Sequence, residues 1–85
     1  MTDNLDLDKV ETKQEIDARG SFCPGPLMEM IRAVRDSQVG DTVAVMSKDP
    51  GSRTDIPAWV QKAKHELVGV QDKDGYARFI VRKAH

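Results

Sequence analysis

Cysteine is nearly absent from this chain: Cys23 stands alone among 85 residues. One thiol makes no internal disulfide. With only two histidines, His65 and His85, it cannot build a cysteine-rich zinc site. No metal and no organic cofactor is implied. Aromatic residues are also scarce. Phe22, Trp59, Tyr76 and Phe79 are the full set, a poor supply of platforms for base stacking. Neither sign of charge is in excess, with 13 basic against 14 acidic residues and a net charge of −1, so nothing draws the chain toward nucleic acid. No apolar run approaches the ~20 residues of a membrane span. The opening MTDNLDLDKV has neither the positive n-region nor the apolar h-region of a signal peptide, and the closing VRKAH is no lipidation signal. The expectation is a cytoplasmic protein with no membrane and no direct nucleic-acid partner.

What is present is a single small domain. A chain of this length buries only about 60–65% of its unfolded surface, which leaves no room for a deep active site. Function belongs at the surface or at a helix end. Residues 1–10 are polar and acidic and read as a flexible tail, with one domain over residues 11–85. Residues 11–18 are a weak strand candidate, broken by Gly20. Residues 24–37 read as a helix, because Leu27, Met30, Ile31 and Val34 fall at i, i+3, i+4 and i+7. Gly40 ends that segment in a turn. Residues 42–48 alternate as a strand, with Val43, Val45 and Ser47 on one side and Thr42, Ala44 and Met46 on the other.

A second helix is expected from residues 52–55 to about Leu67, with Ile56, Val60, Ala63 and Leu67 as its stripe. Ser52 and Asp55 have capping-box spacing, Thr54 or Asp55 are alternative caps, and Pro57 belongs in or near the first turn. Strands at residues 68–71 and 76–82 flank an Asp74-Gly75 hairpin signal. The order β-α-β-α-β-β implies an α+β fold. It is a two-layer α/β sandwich with two helices on one face of a four-stranded mixed sheet, the other face partly open to solvent.

The informative segment is Arg19-Gly20-Ser21-Phe22-Cys23-Pro24-Gly25-Pro26-Leu27. Pro24 pushes Cys23 into the extended region that an N-cap residue also uses. Proline is tolerated in a first helical turn, whose amides have no intrahelical partner. Either Cys23 caps and Pro24 is first in the helix, or Gly25 caps and Pro26 is first. In both cases the sulfur lies within about one turn of the positive helix end, where thiol pKa values can fall to about 3.5–7.5. Arg19 adds positive potential, and Gly25 lets a partner approach closely. A lone cysteine is most often a small buried hydrophobe. The prolines, the glycine and the helix start set a reactive thiol against that reading, without naming a reaction.

The run from Asp17 to Pro26 resembles the D-x-x-G-x-x-C-P-x-P signature of the TusA/SirA family. The run from Asp49 to Pro57 resembles that family's segment before helix two, and His65-Glu66-Leu67 its late-helix pattern. The similarity covers roughly residues 15–83. It implies a two-layer β-α-β-α-β-β sandwich and a sulfur carrier whose motif cysteine, here Cys23, accepts sulfane sulfur as a persulfide and passes it on. Pro24 and Pro26 carry over as motif residues. The implied partners are a donor of cysteine desulfurase or rhodanese type and a cysteine-containing acceptor protein. The implied pathways are tRNA thiolation, molybdoenzyme maturation or sulfur oxidation. Some members have a second cysteine after the Asp-Ile-Pro segment. Here that place reads Ala58-Trp59, which leaves a one-cysteine shuttle, expected to be monomeric. Gly25 resembles members linked to sulfur oxidation.

Other residues have two readings each. Trp59 anchors a partner or lies against the sheet edge. Met28 belongs to a docking surface or is simply exposed. Arg32, Arg35, Lys48 and Arg53 steer an acidic partner or are solvated charges, and His65 reads as a surface histidine. A non-catalytic binding or regulatory module using the exposed start of helix one is the competing function. An RNA-binding sandwich is a third, disfavoured by charge and composition.

Overall fold

The computed structural model describes residues 12–20 and 25–85. Its elements are β1 (Gln14–Asp17), α1 (Gly25–Asp36), β2 (Thr42–Ser47), α2 (Ser52–Ala63), β3 (Glu66–Lys73) and β4 (Tyr76–Arg82). They form one four-stranded sheet in the order β1-β2-β4-β3. β1 pairs parallel with β2, and β4 lies antiparallel between β2 and β3. The sheet is therefore mixed, as the element order implied. The tail at residues 1–10 and the motif residues Cys23 and Pro24 lie outside the described residues.

The core fills the space between the sheet and the two helices. Met30, Ala33 and Val34 from α1, Ile56 and Val60 from α2, and Val43, Val45, Ala77, Phe79 and Val81 from the sheet are all buried there. The alternation expected on β2 holds: Val43 and Val45 face this core, and Ala44 does not. The stripe of α1 is rotated slightly from the expectation. Pro26 and Ala33 are buried with Met30 and Val34, while Leu27 and Ile31 are only half-buried.

The far face of the sheet is less open than expected. Ala44 and Ile80 are fully buried there, and Arg78 and Gln71 nearly so. From β4, Arg78 links both edge strands across that face, donating from Nε to Glu15 of β1 (3.1 Å) and from Nη1 to Gln71 of β3 (2.7 Å). A cation held this way costs far less to bury than an unpaired one. No buried side-chain polar atom among the described residues lacks a partner.

Three expectations about α2 need correction. None of the expected residues occupies the capping position; just before it, Asp49 Oδ1 accepts from the Gly51 N–H at 3.0 Å. Gly51 is the capping residue, and the Ser52 hydroxyl instead meets Ser47 Oγ at 2.7 Å, fully buried. Pro57 is the sixth residue of the helix, in the second turn. The helix ends at Ala63 rather than near Leu67, because Lys64 adopts a left-handed conformation (φ 63°, ψ 34°). Its N–H bonds Gln61 O and the His65 N–H bonds Val60 O, which closes the last turn. Leu67 consequently belongs to β3, opposite Val81. The β3–β4 hairpin pairs Lys73 with Tyr76 across Asp74-Gly75, and the φ of +85° at Gly75 explains the glycine.

Candidate functional site

Two described stretches bracket the four residues that include Cys23. Before them, β1 runs out at Asp17, and the Ala18 N–H continues the ladder by donating to Met46 O at 2.9 Å. Ala18 is buried. Arg19 then folds back on Asp17. Its backbone N–H and Nε donate to Oδ1 at 3.1 and 2.8 Å, and Nη2 donates to Oδ2 at 2.7 Å. The same guanidinium lies 4.8 Å above the ring of Tyr76 on β4, a cation–π contact. The β1 end is thus tied both to itself and to the β3–β4 hairpin.

Electrostatics follow from this geometry. The Arg19 side chain, then its N–H, hold the Asp17 carboxyl down at about 2. In return Asp17 raises the Arg19 guanidinium above its ordinary value. The positive charge assigned to Arg19 from sequence is therefore shared with Asp17 before any of it acts further along the chain. An open recess of about 490 Å³ adjoins this point, lined by Asp17, Arg19, Gly20, Lys48, Asp74 and Tyr76. Among the described lining residues, two carboxylates and two cations balance. Among the described residues, a methyl group at Gly20 would meet nothing within 4 Å.

After the bracketed residues, Gly25 and Pro26 open α1 as described, and Pro26 is fully buried. The first turn contains no acidic residue, so no carboxylate there competes for the positive helix end. Gly25 is already the first described residue of α1, so it is not the cap preceding a helix that starts at Pro26. The alternative with Cys23 as cap lies outside the described residues. Chain length limits the separation all the same: Cys23 follows Gly20 by three residues, hence by at most about 11 Å between Cα atoms.

Of the other candidates, Lys48 lines this recess; Met28, Arg32, Arg35, Arg53, Trp59 and His65 lie elsewhere. Met28 is half-exposed one turn into α1. Arg32 makes a long contact with Glu29 (3.5 Å), and Arg53 pairs with Asp72. Arg35 lines a different cavity, with Trp59 and His65. Trp59 packs against the core and tilts onto His65, which sits just after α2 rather than within it. Tyr76 is the residue sequence reasoning missed. Nothing local to it predicts a guanidinium overhead; only the hairpin brings it to Arg19. Among the described residues no three metal-ligating side chains converge, and no helix is long and apolar enough to cross a membrane.

Comparison with known proteins places this geometry in context. The family model for sulfurtransferase TusA matches residues 14–83. An Archaeoglobus fulgidus protein described as a sulfur carrier is 54% identical over 68 residues, 80% of this chain and 93% of that one. The sulfur carrier protein TusA of Pseudomonas syringae pv. syringae is 36% identical over 77 residues, covering 91% of this chain and 92% of its own. In three dimensions the crystal structure of a SirA-like protein from Desulfitobacterium hafniense superposes with a TM-score of 0.74 at 22% identity. It covers 85% of this chain and 99% of that one.

Proposed function

The chain belongs to the TusA sulfurtransferase family and is a sulfur carrier, and from that premise we propose that Cys23 is the atom-carrying thiol. The observation behind this reading is the start of α1, a 12-residue helix with no acid in its first turn, two residues beyond Cys23. Unpaired amides and the helix dipole favour an anion at such an end. The Cys23 thiolate attacks the outer sulfur of a donor persulfide. The donor's S–S bond breaks, the donor leaves as a thiolate, and Cys23 holds the persulfide. An acceptor thiolate then attacks that outer sulfur and Cys23 leaves as a thiolate. Sulfur moves with no net oxidation, so no redox cofactor enters.

A sulfur carrier works between a donor and an acceptor protein. We assign the donor to the cysteine desulfurase or rhodanese type and the acceptor to a cysteine protein of a thiolation, molybdoenzyme or sulfur-oxidation route. We assign the carrier as a cytoplasmic monomer, since one thiol must meet two partners in turn. We assign the carrier domain to residues 11–85, preceded by the polar, acidic sequence of residues 1–10. Within the motif, Arg19, Gly20, Pro24, Gly25 and Pro26 shape the approach to the thiol.

Intact-protein mass spectrometry after exposure to a sulfane-sulfur donor tests this assignment. Wild type gains one or more sulfur atoms, reversibly by reductant, and Cys23→Ser gains none. Cys23 alkylation is expected to titrate below the ~8.5 of an unstructured thiol. Failure to load with several donors, although Cys23 still alkylates readily, would shift the function to a binding or regulatory module.

A further inference from the structure

His65 follows the end of α2, and three things meet at its ring. Trp59 lies tilted against it at 45°, with centroids 5.7 Å apart. His85 stacks on it at 14° and 4.7 Å. The Ala84 N–H donates to His65 Nδ1 at 3.1 Å, and His85 Nε2 lies 2.8 Å from the Ala63 carbonyl oxygen. Further back, Lys83 Nζ reaches α1, donating to Ser37 O at 2.7 Å and Arg35 O at 3.2 Å. Residues 83–85 thus lie across a cavity of about 280 Å³ lined by Ile31, Val34 and Trp59, where the two helices meet.

The two histidine contacts differ in what a proton does to them. A carbonyl oxygen only accepts, so the His85 contact needs a hydrogen on Nε2 and survives protonation of that ring. The Ala84 contact needs His65 Nδ1 to be bare. An imidazolium carries hydrogens on both nitrogens, so a proton on His65 deletes this bond and sets two N–H groups against each other. We propose that Ala84 and His85 form a proton-sensitive clasp over the α1–α2 seam, closed while His65 is neutral and released when His65 is protonated, with Lys83 staying anchored as its hinge through backbone bonds to Gly40 and Asp41.

The surrounding charges resist protonation of His65. Lys83 and His85 face the ring from the chain end, and Arg35 lines the same cavity from α1. Lys64 precedes His65 at the end of α2, and no carboxylate is among the described residues lining the cavity. Glu66, the next residue on β3, is engaged by Arg82 at 3.0 Å. Burial first, then His85 and Lys83, hold the His65 pKa below its ordinary 6.5. The clasp is therefore closed at neutral pH and opens on the acid side.

The test is a titration of the full chain from about pH 8 to pH 5. Heteronuclear NOEs of the Ala84 and His85 amides and acrylamide quenching of Trp59, the lone tryptophan, are read together. In wild type the two amides lose their NOEs and Trp59 becomes more quenchable, both at the midpoint of His65 itself and below 6.5. His65→Phe keeps a ring against Trp59 and His85 but cannot accept a hydrogen bond. Its tail is mobile throughout, with no step. His85→Leu leaves the His65–Ala84 bond intact and retains the step. A tail equally ordered at both ends of the range in wild type, or a step that survives in His65→Phe, overturns the clasp. So does loss of amide protection at Phe79 with the same midpoint, because the transition would then be global unfolding.

Discussion

Asp17 accepts three hydrogen bonds from one residue, Arg19, at the point where β1 gives way to the motif loop. Its carboxyl titrates near 2 instead of 3.8. A depressed carboxylate stabilises the folded state above its unfolded pKa, and that contribution is lost as pH falls through the folded one. Here the window runs from about 3.8 down to about 2. Both partners are solvent-exposed, so the effect belongs to local order more than to global stability. Arg19→Leu should return the Asp17 midpoint toward 3.8, followed by carboxyl ¹³C shifts. A midpoint still near 2 would mean that Arg19 is not the cause. Residue chemistry at this site was only half legible. Cys23 was singled out because prolines and a glycine around it mark a helix start, a purely local signal. Tyr76 was not, because its partnership with Arg19 exists only once the β3–β4 hairpin has formed.

Among the elements, those with strong periodicity could be read and those decided by a single backbone angle could not. The order β-α-β-α-β-β followed from the α1 stripe, the β2 alternation and the Asp74-Gly75 signal. The end of α2 did not, because the left-handed position that stops it is Lys64 (φ 63°) rather than the glycine that usually marks such a cap. The Ser52–Asp55 spacing misled for a related reason: the serine hydroxyl finds a buried partner in Ser47, which no local pattern reveals. β1 was faint because it is an edge strand with mostly exposed residues, completed by parallel pairing to β2. The Lys64 angle yields a prediction. A left-handed conformation costs a residue with a Cβ about 1–2 kcal/mol, against about 0.5–1 kcal/mol of extra chain entropy lost by glycine. Lys64→Gly is therefore expected to stabilise the fold by up to about 1 kcal/mol, seen as a higher urea midpoint at unchanged slope. A lower midpoint would show that the lysine side chain contributes more than its backbone costs.

At the scale of the molecule, stability rests on one core to which both helices and the central strands contribute. Phe79 is fully buried at its middle, on β4, opposite Val45 of β2 and Val70 of β3. The described core includes only this one aromatic residue, so its removal leaves a void that smaller neighbours such as Val43, Ala33 and Ala77 cannot fill. Truncating a buried phenylalanine costs about 3–5 kcal/mol. At about 0.05–0.15 kcal/mol per residue, a chain of this length has only about 4–13 kcal/mol in total. Phe79→Ala should therefore lose about a quarter or more of the unfolding free energy, measured by urea denaturation. Met28→Ala, at a side chain 49% exposed, should stay within about 0.5 kcal/mol of wild type. The pair separates two roles. If Phe79→Ala destabilises as expected while Met28→Ala does not, the α1 surface near Met28 can be altered to probe donor and acceptor docking without confounding by the fold. If Phe79→Ala costs less than about 1 kcal/mol, the helix-side core is not what holds this domain together. The buried Ala44, Ile80 and Arg78 on the opposite face would then have to supply the difference.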